Sequence, residues 1–463
     1  MIKLKSVYIM SNTIVLKKGL NIPIKGDAEL RVAKTVTPDV VAINPSDFKG
    51  LLPRLLVKEG DAVLAGSPVL SDKKNPDVLV ASPVSGTIQS IVRGEKRKLL
   101  AVLIKADGEQ KALDFGVKHV ESLSAEEIKT AILQGGLWPM LIQRPYGIIA
   151  DPASKPKAIF ASAFSTAPLA ANAEFVLGGE IEAIQAGVNA LAKLSDGGVH
   201  ISLNADNYAS TPFHKIENAS IHVFSGKHPA GNVGVQISHI SPVLKEETVW
   251  TVSLLGLAAI GKLFTKGKVD LSRKVAVTGP LVEGPAYVEG FPGMPISALA
   301  SFYGNLTDEK ARFISGDPLT GTKVGTAGYL GYYDNQVTIL KEGNEQELLG
   351  WARPIRFKQF SATRSYFSWL TPWKKYAMDT NIHGGKRAFI MSDDYYKDVL
   401  PMDIYPIYLV KACLAGDIEK MEQFGIYEVL PEDLALCEYI DPSKNDIQDI
   451  IAKGIDLMLK EMA

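Results

Sequence analysis

The chain has 463 residues, and its 50 lysines and arginines nearly balance 51 aspartates and glutamates, giving a net charge of -1. This balance excludes a general attraction to nucleic acid, so any basic site has to be local. Hydrophobic residues make up 46% and charged residues 22%, which is typical of globular proteins rather than disordered ones. The length predicts three or four domains.

Neither membrane insertion nor disulfide chemistry is predicted. Residues 1–18 have no apolar core of the signal-peptide type. The longest apolar run without charges, 248–261, is shorter than the roughly 20 residues of a spanning helix. We expect a buried helix or a pair of strands there. Two cysteines, Cys413 and Cys437, are too few for a disulfide framework and are expected as thiols.

Residues 1–110 are taken as an N-terminal segment with a small β domain. From residue 46 onward, short apolar runs alternate with turn residues. Turns are predicted at 59–61 (Glu-Gly-Asp) and 65–67 (Ala-Gly-Ser). The two halves of the segment look alike, which predicts a sandwich of short hairpins.

Residues 111–265 alternate between helix-like and strand-like patterns, which predicts an α/β layer with parallel strands. The predicted helices are 125–133, with Ser124 as its N-cap, and 174–194, and the predicted strands are 157–161, 199–203 and 220–224.

Residues 266–345 return to short strands, and 346–463 are helical and richer in aromatic residues. A small sheet with one helix is expected in the first stretch, and a final helix with one apolar face in the second. The predicted elements are strands at 274–278, 286–289, 312–315 and 336–340, a short helix within 295–303 and a helix over 447–459.

Lys73 and Lys74 lie in a pattern that resembles biotinyl and lipoyl carrier domains, in which one lysine at a hairpin tip is modified. The biotin version needs methionine on both sides of the lysine, and neither lysine has one. Asp72-Lys73 matches the lipoyl tip, but residues 75–77 (Asn-Pro-Asp) lengthen the hairpin beyond it. A solvated loop is therefore expected, with a modified lysine as the alternative.

A glycine-containing loop, Gln134-Gly135-Gly136-Leu137-Trp138-Pro139, resembles the flavin loop of the flavin subunit of complex I. Such loops need glycine where backbone N–H groups approach a phosphate, because a Cβ would intrude. Leu137 and Gln134 occupy two of those glycine positions. We expect a remnant of a flavin fold that binds no flavin, and a helix C-cap explains the glycine pair equally well.

Three histidines, His222, His228 and His239, lie in or near the glycine- and proline-rich loop 226–234 and raise a metal hypothesis. Their spacing matches no common zinc pattern, so a structured loop beside strands is the preferred interpretation. Neither metal ligands nor catalytic residues are assigned, since the sequence has no Gly-x-Ser-x-Gly, Walker or His-Glu-x-x-His motif.

The C-terminal region contains two frames of the ferredoxin type, each ending in a proline. A cluster needs essentially all four thiolates, and one position in eight is a cysteine, Cys437, which is expected as a core residue. The positions are Pro431, Leu434, Cys437 and Asp441 before Pro442, and Ile390, Asp393, Tyr396 and Leu400 before Pro401.

Residues 353–376 combine six basic residues and no acidic one with Trp369 and Trp373. Basic residues with tryptophan suit a membrane surface or a partner interface, and they also suit single-stranded nucleic acid. The alternative is a connector between domains, with the two tryptophans in an internal core. We expect part of the segment to dock the chain onto partners.

The carrier-like, flavin-like and ferredoxin-like remnants occur in one order, which matches the C subunit of the Rnf complex. The version without clusters resembles the A subunit of the sodium-translocating NADH:quinone oxidoreductase (Nqr) over nearly the whole chain. The stretches that carry this resemblance are 72–76, 93–97, 136–139, 228–231, 315–321, 328–332, 363–370, 400–406 and 425–429.

The resemblance implies a fold and a role. The fold is a multidomain α+β and α/β protein: a biotinyl/lipoyl-like sandwich (1–110), a Rossmann-like domain (111–265), a β-grasp SLBB-type domain (266–345) and a helical domain (346–463). The role is a cytoplasmic, peripheral subunit of a complex that oxidises NADH, reduces quinone and exports Na⁺ across the bacterial inner membrane. The membrane subunits are the implied partners, with no role for nucleic acid.

The resemblance also places the redox groups outside this chain. FAD, FMN and iron–sulfur centres belong to other subunits, whereas NADH and quinone are used by the whole complex. A quinone contact is implied without residues that the sequence can place. Two rival classes stay open: a carrier protein, which an intact mass would reveal, and a flavin-dependent NADH dehydrogenase, which a visible spectrum would reveal.

Overall fold

The structure, a computed structural model, describes residues 13–345, 347, 356–362, 367–382 and 394–461. The strands, in chain order, are β1 (Thr13–Val15), β2 (Glu29–Thr35), β3 (Val40–Ile43), β4 (Pro53–Leu55), β5 (Ala62–Val63), β6 (Pro68–Asp72), β7 (Leu79–Ala81), β8 (Gly86–Arg93), β9 (Leu99–Ala106), β10 (Ile142–Arg144), β11 (Ile148–Ile149), β12 (Ile159–Ser162), β13 (Val199–Asn204), β14 (Ser220–Ser225), β15 (Val249–Thr251), β16 (Arg273–Thr278), β17 (Ala286–Gly290), β18 (Ala311–Ser315), β19 (Thr322–Lys323) and β20 (Gln336–Lys341). The α-helices are α1 (Ala125–Gln134), α2 (Ala173–Leu177), α3 (Ile181–Ala192), α4 (Val233–Ile240), α5 (Leu254–Lys266), α6 (Ala300–Tyr303), α7 (Asp394–Lys397), α8 (Pro406–Ala415), α9 (Ile418–Gln423), α10 (Ala435–Ile440) and α11 (Ile447–Glu461).

The β domain near the N-terminus is built from two sheets, as the sequence predicted. One has the order β3-β9-β8-β5 and the other β4-β6-β7. Apolar side chains at alternate positions of the strands point between the sheets, so Val41, Leu70, Val80, Ile88 and Val102 are buried. The sandwich is small, and its hairpin ends therefore reach solvent.

The α/β domain contains a seven-stranded sheet of order β1-β14-β13-β12-β15-β10-β11. Five neighbouring strands of this sheet are parallel, as predicted: β1, β14, β13, β12 and β15. Strands β10 and β11 add an antiparallel edge. Helices α3 and α5 pack closely at two glycines. A Cβ on Gly261 would meet the Ala183 backbone oxygen, and a Cβ on Gly187 would meet the Leu257 backbone oxygen. The predicted α/β layer is confirmed.

Two predictions within this domain need correction. The single helix predicted over 174–194 is two helices, α2 and α3, because Gly178-Gly179 ends the first and allows the chain to turn. The apolar run 248–261 is neither a helix nor a strand pair alone. It forms β15 and then most of α5, with the Ser253 side chain capping the start of the helix.

The third sheet has the order β19-β18-β20-β16-β17-β2 and packs against α6. The predicted short helix is a 3-10 turn (Ile296–Leu299) followed by α6. β2 pairs in parallel with β17, whereas β1 pairs with β14, so the first two strands join sheets formed mainly by later residues. The predicted limits of the four domains stay a prediction.

The C-terminal region is helical, as predicted. Helix α11 buries one face, which contains Ile447, Ile451, Ile455 and Met458. That apolar face follows the helical repeat of the sequence, and it packs on α8 and the 3-10 turn Pro431–Leu434. Among the helices of the described ranges, none combines the length and apolar character that a membrane crossing needs.

A buried ion pair joins this helical region to the α/β sheet. The Arg144 guanidinium at the end of β10 donates to Asp433 at 2.9 Å and to Glu432 at 2.7 Å. The side chains of Arg144 and Asp433 are 3% and 0% exposed. Burial alone would lower the pKa of Arg144, but the two carboxylates outweigh it and raise that pKa. Arg144 and its two carboxylate partners therefore form an ion pair that connects the α/β sheet to the helical region.

Candidate functional site

A cleft of about 600 Å³ lies between the third sheet and the C-terminal helices. One wall comes from residues near the ends of β18 and β20 and from the segment 376–382. The opposite wall comes from α10 and the first turn of α11, so the packing of the helical region on the sheet creates the cleft. We name it the interdomain cleft.

Much of the lining of the interdomain cleft is apolar or aromatic. Ile24, Leu319, Leu340, Met378 and Tyr439 are among the side chains on its walls. They come from widely separated parts of the chain, and each is buried or half-buried. Concave sites with mostly apolar walls and a few polar groups are typical of small-molecule binding.

One group of polar residues in the cleft lies near the turn between α10 and α11, and others come from the opposite wall, among them Arg312 and residues 379–381. The Lys444 ammonium donates to the Tyr439 carbonyl oxygen at 2.6 Å, and the Gln448 side-chain amide donates to the Leu319 carbonyl oxygen at 3.0 Å. Burial lowers the pKa of Lys444 and raises the pKa of Glu438. Chemically, this arrangement offers hydrogen-bond donors at the edge of an apolar slot.

The segment 353–376, singled out from the sequence, contributes to both the cleft and the surface. Residues 351–355 and 363–366, which include Arg353 and Arg364, lie outside the described residues. Lys358, Phe360 and Tyr376 line the interdomain cleft. Residues 367–375 are named the docking segment.

The docking segment exposes its aromatic side chains. Trp369 is 52% exposed and Trp373 is 79% exposed, and Phe367 stacks on the nearby Phe357 at 5.8 Å while both remain exposed. The alternative interpretation, in which the two tryptophans fill an internal core, is wrong, because at least half of the surface of each residue is exposed. Clustered exposed aromatic residues of this kind mark an interaction surface.

Several positive charges of residues 353–376 are bound by groups within the protein. Arg356 is buried and forms an ion pair with Glu347 at 2.7 Å. Lys374 donates to the Phe357 carbonyl oxygen at 2.8 Å and lies over the Tyr376 ring, and Lys375 pairs with Asp27. The aromatic side chains, more than the six charges, are therefore what the segment offers to a partner.

The flavin-like loop is filled by the protein itself. A Cβ on Gly136 would lie 2.8 Å from the Ala81 backbone nitrogen on β7, and one on Gly135 would lie 2.9 Å from Leu263. Leu137 and Trp138 are buried, and the Trp138 indole donates to the Ala150 carbonyl oxygen at 2.7 Å. Gly136 thus allows close packing against the sandwich and Gly135 against α5, and the loop does not fit a flavin phosphate.

Lys73 and Lys74 lie in the exposed turn between β6 and β7. The Asp72 carboxylate accepts the backbone N–H groups of Lys74 and Leu52, and the Lys73 N–H donates to the Leu52 carbonyl oxygen. These bonds tie the hairpin tip to the loop before β4. Whether either lysine is modified stays a prediction.

The three histidines singled out have different partners. His222 contacts His200, with ring nitrogens 2.9 Å apart, because β13 and β14 are paired strands. His228 contacts the Thr166 hydroxyl, and burial lowers its pKa to about 4, whereas His239 contacts the Val235 carbonyl oxygen. Within the described ranges, no group of three or more histidine, cysteine or acidic side chains could hold a metal ion.

The ferredoxin-like frames lie in the helical region. Cys437 is buried in its core, beside Leu434, and Asp441 accepts N–H groups of Ser443 and Asn445. In the second frame Tyr396 and Leu400 are also buried, whereas residues 390 and 393 lie outside the described residues. Cys437 is a core residue, as predicted.

Lys444 and Gln448 line the cleft but were not predicted as site residues from the sequence. Neither belongs to a recognisable motif, and the side-chain amide of Gln448 bonds to Leu319, more than a hundred positions away. The only available signal was the stretch 315–321 in the Nqr resemblance, which contains Leu319. Such a site becomes visible when the sheet and helices are placed together.

Three family models match the chain. The model of the NqrA N-terminal barrel-sandwich hybrid domain matches residues 14–107, and that of the NqrA second alpha/beta domain matches residues 123–269. The model described as the NQRA C-terminal domain, of SLBB type, matches residues 274–326. Together they span the sandwich, the parallel sheet and much of the third sheet.

Full-length relatives share one description, the A subunit of the Na(+)-translocating NADH-quinone reductase. The relative from Yersinia pestis bv. Antiqua (strain Angola) is 38% identical over 441 residues, covering 95% of this chain and 97% of the relative. That from Pasteurella multocida (strain Pm70) is 35% identical over 453 residues, covering 97% and 100%. That from Neisseria meningitidis serogroup A is 36% identical over 451 residues, again covering 97% and 100%.

Among solved structures, an NAD+-reducing [NiFe]-hydrogenase in the air-oxidized state resembles part of the chain. The identity is 14% and the TM-score 0.33, with 50% of this chain and 53% of that chain covered. A similarity this low supports no inference about function.

Proposed function

This chain belongs to the NqrA family, the A subunits of the Na(+)-translocating NADH-quinone reductases, and we propose that it is a peripheral subunit of such a complex. The complex couples NADH oxidation and quinone reduction to Na⁺ export. The chain lies on the cytoplasmic side of the bacterial inner membrane and packs on the membrane subunits. It contributes binding surfaces and no redox centre.

The redox groups, FAD, FMN and iron–sulfur, belong to other subunits. Two features support this division. The loop 134–139 is filled by packing of Gly136 against Ala81, and Cys437 is the only cysteine among the eight positions of the ferredoxin-like frames. The same remnants, in the same order, support our proposal of common descent with the C subunit of Rnf and the flavin subunit of complex I.

The single observation that carries the proposal is the exposure of the docking segment. Trp369, Leu370 and Trp373 each expose more than half of their residue surface to solvent. Keeping such apolar groups in water is unfavourable, and tryptophan is among the residues that most often supply interface energy. We propose that the membrane subunits of the complex cover this segment.

Removing the two indoles tests this docking. The variant Trp369→Ala/Trp373→Ala should fold like the wild type, because both rings are exposed, but it should be lost from the complex during purification. The matched control is Leu244→Ala, which removes another exposed apolar side chain. The readout is the yield of the chain bound to detergent-solubilised membrane subunits. Wild-type yield for the double variant would contradict docking through this segment.

A second function is favoured by the interdomain cleft. Its volume of about 600 Å³ is in the range of small-molecule sites. A flat quinone ring would find apolar walls, and Lys444 provides a donor for a quinone carbonyl oxygen. We propose that the cleft holds a quinone headgroup.

Equilibrium dialysis with a short-chain ubiquinone tests the cleft. Lys444→Gln should weaken binding, because it removes a charged donor from a half-buried position. Lys453→Gln is the control, since Lys453 is an exposed lysine on the same helical region, in α11, and is paired with Asp449. Equal affinities of the wild type and Lys444→Gln would exclude this residue from quinone binding.

A further inference from the structure

One end of the sandwich domain carries a groove of about 500 Å³ with a strongly basic lining. Six cationic side chains line it, and apolar contributions come from Leu52, Leu55 and Leu99. We name it the basic groove. The cationic residues are Arg54, Lys73, Arg93, Lys96, Arg97 and Lys98.

The groove is built from hairpin backbone. The Lys73 N–H donates to the Leu52 carbonyl oxygen at 2.8 Å, and the Gly94 N–H donates to the Lys98 carbonyl oxygen at 2.8 Å. The Arg93 guanidinium donates to the Arg97 carbonyl oxygen at 3.2 Å, across the turn between β8 and β9. The charged side chains are therefore carried by β4 and by the two hairpins β6–β7 and β8–β9, and no α-helix contributes to the groove.

The charge of the groove is not neutralised within the described part of the chain. All six cationic residues are exposed, and none of them forms a salt bridge with a described residue. The turn from Arg93 to Lys98 contains four cationic residues and one acidic residue, Glu95. A local positive field therefore persists although the net charge of the whole chain is -1.

Exposed apolar side chains accompany the charges. Leu52 lies on the groove, Leu100 follows the lining residue Leu99 on β9, and both Leu52 and Leu100 are exposed. A surface that combines lysine and arginine with exposed leucine is typical of proteins that lie on anionic membranes, where the charges meet phosphates and the leucines reach the acyl boundary.

We propose that the basic groove binds the anionic phosphate headgroups of the membrane surface beside the complex. This inference rests on the proposed function, which places the chain at a membrane. The lysines and arginines of the groove are exposed and spread out, so they can each meet a different lipid phosphate. A single carboxylate is instead bound best by the two parallel donors of one arginine guanidinium. A symmetric contact between the grooves of two copies of this chain is disfavoured, because two equally basic grooves repel each other.

Cosedimentation of the full-length chain with lipid vesicles tests the proposal. The probes are vesicles with about one-third phosphatidylglycerol and vesicles of phosphatidylcholine alone, at about 0.1 M and about 0.5 M salt. The groove variant is Lys73→Glu/Lys96→Glu/Lys98→Glu. The control variant, Lys268→Glu/Lys310→Glu/Lys411→Glu, changes the net charge equally at exposed lysines on other parts of the chain.

The wild type and the control variant should bind the anionic vesicles at low salt and should lose this binding at high salt. Neither should bind the neutral vesicles. The groove variant should lose at least about tenfold in affinity. Absence of wild-type binding, equal binding by the groove variant, or an equal loss in the control would each overturn the proposal.

An acidic partner protein is the competing occupant, and one further outcome identifies it. If the groove variant binds vesicles normally but no longer co-purifies with the membrane subunits, the groove recognises protein and the lipid proposal is wrong. Vesicle binding requires no partner protein, and co-purification requires no vesicle. A failure of the lipid proposal is therefore distinguishable from a failure of the proposed function.

Discussion

Gly136 has two separate reasons to be glycine. Its φ of +63° is a left-handed conformation that other residues adopt with strain, and a Cβ would lie 2.8 Å from Ala81. Gly198 has a similar φ of +69°, but nothing lies within 4 Å of its Cβ position. A comparison of substitutions at the two positions therefore separates the cost of backbone strain from the cost of close packing between domains.

We expect Gly198→Ala to lower the free energy of unfolding by about 1 kcal/mol, from strain alone. Gly136→Ala should cost about 1–3 kcal/mol more, because the added methyl group overpacks the contact with β7. Urea unfolding followed by circular dichroism measures both. Equal losses in the two variants would show that the contact with Ala81 is not tight.

Glu342 is a buried carboxylate with several donors. Its side chain is 5% exposed and accepts from Arg312 at 2.5 Å, Lys323 at 2.8 Å and Thr380 at 3.1 Å. The hydrogen bond from Arg312, helped by Lys323, lowers the pKa of Glu342 to about 2. The carboxylate therefore ties the end of β20 to the segment at residue 380.

This shift predicts a dependence of stability on pH. The folded pKa lies below the unfolded value of 4.5, so the stabilisation is complete above pH 4.5 and is lost as the pH falls toward 2. Glu342→Gln should lower the free energy of unfolding at neutral pH by about 1–3 kcal/mol and flatten the acid limb of the stability curve.

The control for this prediction is Glu345→Gln, which removes an exposed carboxylate paired with Lys341. Urea midpoints measured from pH 7 down to pH 3 should follow the wild type in the control. The Glu342 prediction is contradicted if its variant keeps the full acid dependence of the wild type.

Among the elements, α1 and α11 were predictable from local sequence. Ser124 and Glu127 form a capping box at the start of α1, and the apolar repeat of α11 continues over most of its length. The break at Gly178-Gly179 was missed, because the apolar spacing continues across it. The pairing of β2 with β17 could not be predicted, since it joins residues more than two hundred positions apart.

The joint between the α/β sheet and the helical region depends on Arg144. Arg144→Met leaves the Asp433 carboxylate buried without its cation, which should cost about 3–5 kcal/mol. Adding Asp433→Asn should recover part of this loss, because it removes the buried charge and its amide oxygen can still accept the Leu430 N–H.

The matched control for the joint is Lys155→Met, which breaks the exposed pair of Lys155 with Asp196. An exposed pair contributes at most about 1 kcal/mol. Urea unfolding measures all the variants. A loss in Arg144→Met as small as that in Lys155→Met would mean that the buried pair does not hold the two regions together.

At the scale of the whole molecule, the interdomain cleft depends on tertiary packing. Ile24, Leu319, Met378 and Tyr439 meet there from positions spread over most of the chain, so no local pattern announces the site. The docking segment was recognisable, because clustered tryptophans beside basic residues are unusual in composition. The sequence could not reveal that Arg356 points inward or that Trp373 is exposed.

The most direct test of the proposed function is the NADH:quinone reductase activity of membranes from a strain that lacks this chain. We expect Na⁺-stimulated quinone reduction by NADH and Na⁺ uptake into inverted vesicles to be lost. Both should return when the purified chain is added back, and Trp369→Ala/Trp373→Ala should restore them poorly. Undiminished Na⁺-stimulated activity in membranes without the chain would contradict its assignment as a working part of the complex.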